Sequence, residues 1–132
     1  MALHFARDDQ DTVNLVGKQF LEFYYDNLNK KDYNQILTLI KPFSIASFQK
    51  NKYNGNNMTS LYQIYNDNCL SFQINDYDTL HSGARRINIM VTGLVSYFEN
   101  GIQVKKNFSE YIHLATGKPG EFWIQMSIFK LI

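Results

Sequence analysis

Cysteine is nearly absent: Cys69 stands alone among 132 residues. One thiol forms neither an intrachain disulfide nor a multi-thiolate metal site; no metal and no cofactor is expected. As a nucleophile Cys69 would need a base placed by the fold, and a buried inert thiol is the commoner fate of such a residue. No apolar run approaches the roughly 20 residues of a membrane-spanning helix, and Met1 to Asp11 lacks the pattern of a signal peptide. An excess of either charge is missing too. The 13 Lys and Arg set against 12 Asp and Glu leave a formal net charge of +1, without the basic footprint that nucleic acid or an anionic membrane requires. The pairs Lys30-Lys31, Arg85-Arg86 and Lys105-Lys106 read as solvated rim. Repeats, linkers and low-complexity segments are also lacking. These absences predict a soluble intracellular chain with a frayed N-terminus over 1–10 and a single domain over 11–132.

Aromatics are plentiful, with 9 Tyr and 10 Phe, which suits a sheet-rich domain with much packing surface. Thr12, beside Asp11, is a plausible N-cap. Val13, Val16, Gly17, Phe20, Phe23, Tyr24 and Leu28 then recur at helical spacing, predicting an amphipathic helix of four to five turns. Asp32 can cap a shorter helix carrying Ile36, Leu37 and Ile40, which must stop before Pro42. Phe43 to Gln49 reads as a short strand, Lys50 to Gly55 as a turn, and Met58 to Asp67 as a third helix through Leu61, Ile64 and Tyr65. A strand over Leu70–Asp78 and a loop over His81–Ala84 follow.

The segment Ile87 to Ile132 reads as three long strands, apolar on both faces. Asn100-Gly101 is a two-residue hairpin signal. It sets Ile89 opposite Ile112, Met90 opposite Tyr111, and Gly93 opposite Phe108, where the glycine leaves room for the ring. Apolar pairs thus meet on both sides of one ladder, whereas a sheet with one wet face is polar at every second position. In the closing strand, Phe122–Leu131, alternation puts Trp123 and Phe129 on one side and Ile124, Met126 and Ile128 on the other, with Thr116–Gly120 as the preceding turn. The fold expected is α+β: a curved, cone-shaped antiparallel sheet with its concave face closed by the N-terminal helices. The second apolar face then waits for another polypeptide. Burying a large apolar side chain is worth roughly 1.5–3 kcal/mol, and a specific interface removes about 800 Å² per partner. The residues Met90, Tyr111, Ile124, Met126 and Ile128 suffice for its core.

Four stretches carry a family resemblance: Phe20–Tyr25, Phe72–Asp78, Val91-Thr-Gly93, and Phe108–Leu114 leading to Phe129–Leu131. In this order and spacing the chain resembles the nuclear transport factor 2-like family, whose fold is cystatin-like. The resemblance lies closest to the small subunit of the mRNA export receptor heterodimer. It implies a non-catalytic nucleocytoplasmic transport adaptor, found in nucleus, cytoplasm and nuclear pore. Such an adaptor pairs its sheet with the related domain of a larger export factor, or with itself as a homodimer, and has nucleoporin phenylalanine-glycine repeats as a further partner. It implies an interface over Phe72, Ile74, Met90, Tyr111, Met126 and Ile128, with Asp78 bridging to an arginine of the larger partner. From the residues alone, Asp78 could equally cap the turn at Ser82 and Gly83. The alternative of a homodimeric Ran-GDP carrier meets Gln49, Phe98 and Asn100 at the family's acidic positions, with Glu99 the one acid. The chain also departs from the small subunit at Thr79-Leu80, Met126-Ser127 and Lys130, and carries Val13 near an aromatic position.

A small-ligand enzyme of the ketosteroid isomerase-like kind needs a polar group at the floor of a cavity. Tyr24, Phe108, Ile112, Trp123 and Phe129 are the expected cavity lining, with Glu110 and Gln125 as its polar members; Tyr24, Tyr25, Asp78 and His113 are the other candidate groups. By alternation Asp78 and His113 fall on the interface side, away from the cavity.

Overall fold

The computed structural model describes residues 10–83, 85–117 and 121–132. The elements run α1 (Gln10–Lys30), α2 (Tyr33–Leu37), β1 (Ile40–Phe48), β2 (Asn51–Asn54), α3 (Met58–Asp67), β3 (Ser71–His81), β4 (Arg86–Glu99), β5 (Ile102–Thr116) and β6 (Phe122–Leu131). The strands form one six-stranded sheet in the order β2-β1-β6-β5-β4-β3. It is antiparallel except where β1 lies parallel to β6. The expected frayed segment falls mostly outside the described residues, as do Ala84 in the loop after β3 and residues 118–120 in the turn before β6.

Helix α1 follows from its periodicity. Val13, Val16, Gly17, Phe20, Leu21, Tyr24, Tyr25 and Leu28 form the buried stripe, and Thr12 already lies inside the helix rather than capping it. The helix ends where Lys31 turns left-handed at φ 61°. There the Asp32 N–H reaches Asn27 O and the Lys31 N–H reaches Leu28 O, a paired closure that satisfies two otherwise orphaned carbonyls. Helix α2 is shorter than its apolar spacing suggests: it stops at Leu37, and Ile40 already belongs to β1. Asp32 precedes it without a side-chain capping bond. The stretch expected as a turn after Gln49 contributes a strand, because Gln49 and Lys50 both take positive φ and fold β2 directly back on β1.

Asn100 and Gly101 take φ 54° and 77°, as a hairpin of this type requires. The register is the expected one: Ile89 pairs with Ile112, Met90 with Tyr111 and Gly93 with Phe108. Two bulges then interrupt simple alternation. In β3 Ile74 pairs with Gly93 but Asp76 pairs with Thr92, leaving Asn75 as an extra residue. In β6 Met126 pairs with His113 but Ile124 pairs with Leu114, leaving Gln125 as another. An inserted residue transfers everything beyond it to the opposite face. A third irregularity lies in β1 between Ile40 and Ile45, around Pro42. There Ser44 Oγ donates to Ile124 O at 2.6 Å and accepts from Lys41 N at 2.9 Å, closing the gap in the ladder.

Helices α1, α2 and α3 lie on the concave side. α1 crosses close to the sheet at Gly17, where an added Cβ would sit 2.5 Å from Thr79 Cγ2. The core beneath is ring-rich: Phe108 stacks on Phe129 at 5.3 Å, and Phe72 meets both edge-on. Along the edge strand β3, Asn29 imitates a neighbouring strand. Its amide donates to Phe72 O at 2.9 Å and accepts from Phe72 N at 2.7 Å, which blunts an edge open to further pairing. At Gly93 an added Cβ would lie 2.1 Å from Gln73 O and 2.9 Å from Phe108 Cε1. Gly93→Ala therefore overpacks the centre of the sheet and lowers stability by about 1–3 kcal/mol. Urea unfolding measures this, and an unchanged midpoint would contradict the close approach.

Candidate functional site

Among the described residues no helix lies on the convex face of the sheet. Its side chains form register rows across the strands. One row runs Asp78, Met90, Tyr111, Ile128, Ser47, Lys52, from β3 to β2. The next runs Leu80, Asn88, His113, Met126, Ile45, Asn54. Met90 is 47% exposed, Ile45 49% and Leu80 64%; Tyr111, Met126, Ile128 and Trp123 are half-buried. Around Met126 and Ile128 the face opens into a groove of 460 Å³ bordered by Ile45, Lys52 and Asn54. Trp123 extends the apolar surface, with Phe43 edge-on to it at 6.3 Å. The exposed and half-buried apolar side chains of this face are thus contiguous across β1, β4, β5 and β6.

Inside the patch lies a small polar cluster. Asn88 Oδ1 accepts the Tyr111 hydroxyl and, with the proton on Nδ1, the His113 ring at 2.9 Å. Partial burial and then the Arg86 charge lower the His113 pKa. The shift favours the neutral ring, and His113 lies on the sheet face, away from the core, as alternation predicts.

Of the expected interface residues, the structure brings Asp78, Met90, Tyr111, Met126 and Ile128 together on this face. Phe72, Ile74 and Ile124 belong to the other side. Phe72 is 6% exposed and Ile124 3%, and Ile74 shares the register row of Gly93, whose neighbour Phe108 is buried in the core. The bulges at Asn75 and Gln125 are the reason, since each reverses the parity that would otherwise keep these residues with Asp78 and Met126. The same bulge at Gln125 corrects the cavity lining. Trp123 points to the convex face, and its indole N–H donates to Gln125 Oε1 at 3.1 Å, so neither residue faces the cavity floor. Ile45, Lys52 and Leu80, absent from the expected interface, share this face. The parallel pairing of β1 with β6 brings in the first two.

On the concave side Tyr24, Phe108, Ile112 and Phe129 are buried as expected, but they surround a filled core. Glu110, 1% exposed, accepts Tyr25 OH at 2.6 Å and Tyr24 OH at 3.2 Å. Burial raises its pKa to about 7, and the two hydroxyl bonds lower it less than burial raises it. Burial first, and then the Glu110 charge, push the Tyr24 and Tyr25 hydroxyls well above their usual range. The acid is an enclosed proton holder whose oxygens are engaged by the chain itself.

Two further concavities lie elsewhere. An apolar groove of 740 Å³ runs along α1 between Val16, Phe20, Phe23, Leu39 and Phe122. At the turn end of the sheet a pocket of 420 Å³ gathers Gln49, Phe98, Glu99 and Asn100 around Phe129 and Leu131, and Gln49 Oε1 fastens it by accepting Leu131 N at 2.9 Å. Cys69 is exposed rather than buried. Among the described residues no group of side chains has the makings of a metal site, and no helix is long and apolar enough to cross a membrane.

The Glu110 cluster predicts a pH dependence. The folded carboxyl titrates at about 7 against an ordinary value of 4.5, so between these limits the folded chain holds a proton that the unfolded chain releases. The contribution of Glu110 to stability is then greatest below pH 4.5 and falls by up to about 3 kcal/mol as pH rises through 7. Glu110→Gln keeps an acceptor for one tyrosine and removes the slope. Denaturant midpoints at about pH 5 and about pH 8, on either side of the folded value, measure it. An equal slope in the variant would refute the assignment.

The architecture has known relatives. The family model described as nuclear transport factor 2 (NTF2) domain matches residues 16–131. No curated protein matches the sequence significantly. Among solved structures, nuclear transport factor 2 from Cryptosporidium parvum is similar with a TM-score of 0.72 at 22% identity, over 91% of this chain and 94% of that one. The yeast UBP3-associated protein Bre5 gives 0.72 at 18% identity, over 94% and 97%. A candidate ketosteroid isomerase from Shewanella frigidimarina gives 0.70 at 8% identity, over 86% and 94%. At such identities the structural likenesses establish the fold alone: a curved sheet closed on its concave side by N-terminal helices. The sequence match spans all but the ends of the chain, from the middle of α1 to the last residue of β6, and on that ground this protein belongs to the nuclear transport factor 2 domain family.

Proposed function

We propose that this domain is a non-catalytic adaptor of nucleocytoplasmic transport, of the mRNA export type, working as half of a sheet-to-sheet pair with a related domain of a larger export factor. The observation that carries the proposal is the convex face. Met90, Tyr111, Met126 and Ile128 form a connected apolar centre, widened by Ile45 and Trp123 and rimmed by Asp78, Lys52 and Lys130. A two-layer sandwich buries such a face at about 10 Å sheet separation, and each apolar side chain covered contributes roughly 1.5–3 kcal/mol. The charged rim sets orientation more than strength. The groove along α1 between Phe20, Phe23 and Phe122 suits aromatic side chains of a short peptide, and nucleoporin phenylalanine-glycine repeats are its partner in this proposal.

The other functions found on this fold have less support. A cavity enzyme would need Glu110 to meet a substrate, yet that carboxylate is enclosed and bonded to Tyr24 and Tyr25. A Ran-GDP carrier would use acids at the turn-end pocket, where Glu99 is the only acid among its lining residues.

Ile128→Glu places a charge at the centre of the face while leaving the concave core untouched. The variant is expected to keep its circular dichroism spectrum and melting behaviour and to lose capture of a related domain, weakened at least about a hundredfold by an unpaired buried charge. Light scattering of the mixture reads the complex mass. A complex of unchanged mass and affinity would contradict the proposed face.

A further inference from the structure

The bonds among Asn88, Tyr111 and His113 fix the proton on the histidine ring. Asn88 Oδ1 accepts the Tyr111 hydroxyl, and the same oxygen lies 2.9 Å from His113 Nδ1. Two lone pairs at that distance repel, so Nδ1 carries the proton and donates it. The neutral ring then has its free lone pair on Nε2. That atom has no hydrogen-bond partner among the described residues and is not buried, so it opens onto the face as a bare acceptor. Its surroundings are mostly apolar. Met126 lies opposite on β6 with Ile45 beyond it on β1, and Leu80 lies beyond Asn88 on β3. The titratable and charged groups on this side of the sheet near the ring are Tyr111 on β5, Arg86 on β4 and Asp78 on β3.

We propose that His113 Nε2 selects the partner of this face: the covering domain must set a neutral hydrogen-bond donor, an amide or hydroxyl group, opposite that atom. A surface without a donor there would strand a buried acceptor. A carboxylate would turn its own lone pairs on Nε2, and a lysine or arginine would meet the charge of Arg86, which already acts on the ring. Protonation changes the outward atom alone. Nδ1–H keeps its bond to Asn88, while Nε2 turns from acceptor to donor and the ring becomes a cation. The donor opposite then has nothing to bond, and a charge is covered beside Arg86 and the apolar centre. Burial and then Arg86 hold the His113 pKa below its ordinary 6.5 in the uncovered face, and covering moves it further the same way. The pair therefore forms on the neutral ring, and its affinity is lost as pH falls through the value of the free chain. The inference rests on the convex face being the surface that pairs with a related domain, and adds what that domain presents at one atom.

Nitrogen–proton correlation spectra of the free chain read the tautomer without any partner. The proton is expected on Nδ1 of the neutral ring, and a proton on Nε2 would overturn the inference. Isothermal titration with the nuclear transport factor 2-like domain of a large export factor then measures pairing at about pH 7.5 and about pH 5. The wild type is expected to bind at least about threefold more weakly at the lower pH and to release protons on binding there, seen as a heat that varies with the buffer's ionisation enthalpy. His113→Gln offers a neutral acceptor at both pH values and should lose both effects. His113→Phe leaves the partner's donor unpaired and should bind about tenfold more weakly at the higher pH, with His113→Gln restoring most of that loss. Glu110 titrates in the same range, but its effect, like that of any group on the partner, persists in both variants, so the difference from wild type belongs to His113. Affinity that rises on acidification would mean an acid opposite the ring. A pH profile unchanged in His113→Gln would remove the histidine from recognition. Either result overturns the inference and leaves the pairing standing, whereas no complex at either pH overturns the pairing and the inference together.

Discussion

The packing of α1 into the concave side of the sheet sets what remains for the convex side. Its buried stripe from Val13 to Leu28, with the small residue at Gly17 permitting close approach to Thr79 and Ile89, closes one face with rings and branched side chains. Among the described residues no helix is left for the other face. Strand β4 is apolar on both sides, with Ile89 and Val91 inward and Met90 and Leu94 outward, and burying the outward side chains would release further free energy. In the proposed pairing a related domain supplies the second layer of a sandwich.

Glu110 shows how the covered side tolerates a polar group. A carboxylate in a core of phenylalanines is costly unless bonded or protonated. Here Tyr24 and Tyr25 supply the bonds, and the raised pKa supplies the proton below about pH 7. A ligand cavity at this place would leave its polar groups open to the occupant. In this chain Phe72, Phe108 and Phe129 fill the space, and the acid becomes part of the packing.

Much of this is legible in the sequence, and the exceptions share one cause. The hairpin at Asn100-Gly101 fixes the pairing of β4 with β5 because its geometry admits few registers, so Met90, Tyr111, Ile112 and Phe108 fall on their proper faces. Phe72, Ile74, Ile124 and Trp123 do not, because parity counted along a strand fails wherever a residue is inserted. Asn75 and Gln125 bear no glycine or proline signal that would mark a bulge. The convex residues Ile45 and Lys52 are invisible for another reason. They enter through a parallel ladder between β1 and β6, elements far apart in the chain with no turn to announce their pairing.

The site proposed for pairing is the convex face centred on Tyr111 and Ile128. The bulges concentrate it, since they turn Phe72 and Ile124 inward to the core while leaving Asp78 and Met126 outside. Hydroxyl-radical footprinting of the assembled protein tests this most directly. Met90 and Met126 on the convex face are compared with Phe98 and Ile102 at the turn end, of which Phe98 is 46% and Ile102 68% exposed. Met90 and Met126 are expected to become protected on assembly while Phe98 and Ile102 keep their reactivity. Oxidation of Met90 and Met126 at undiminished rates in the assembled state would contradict it.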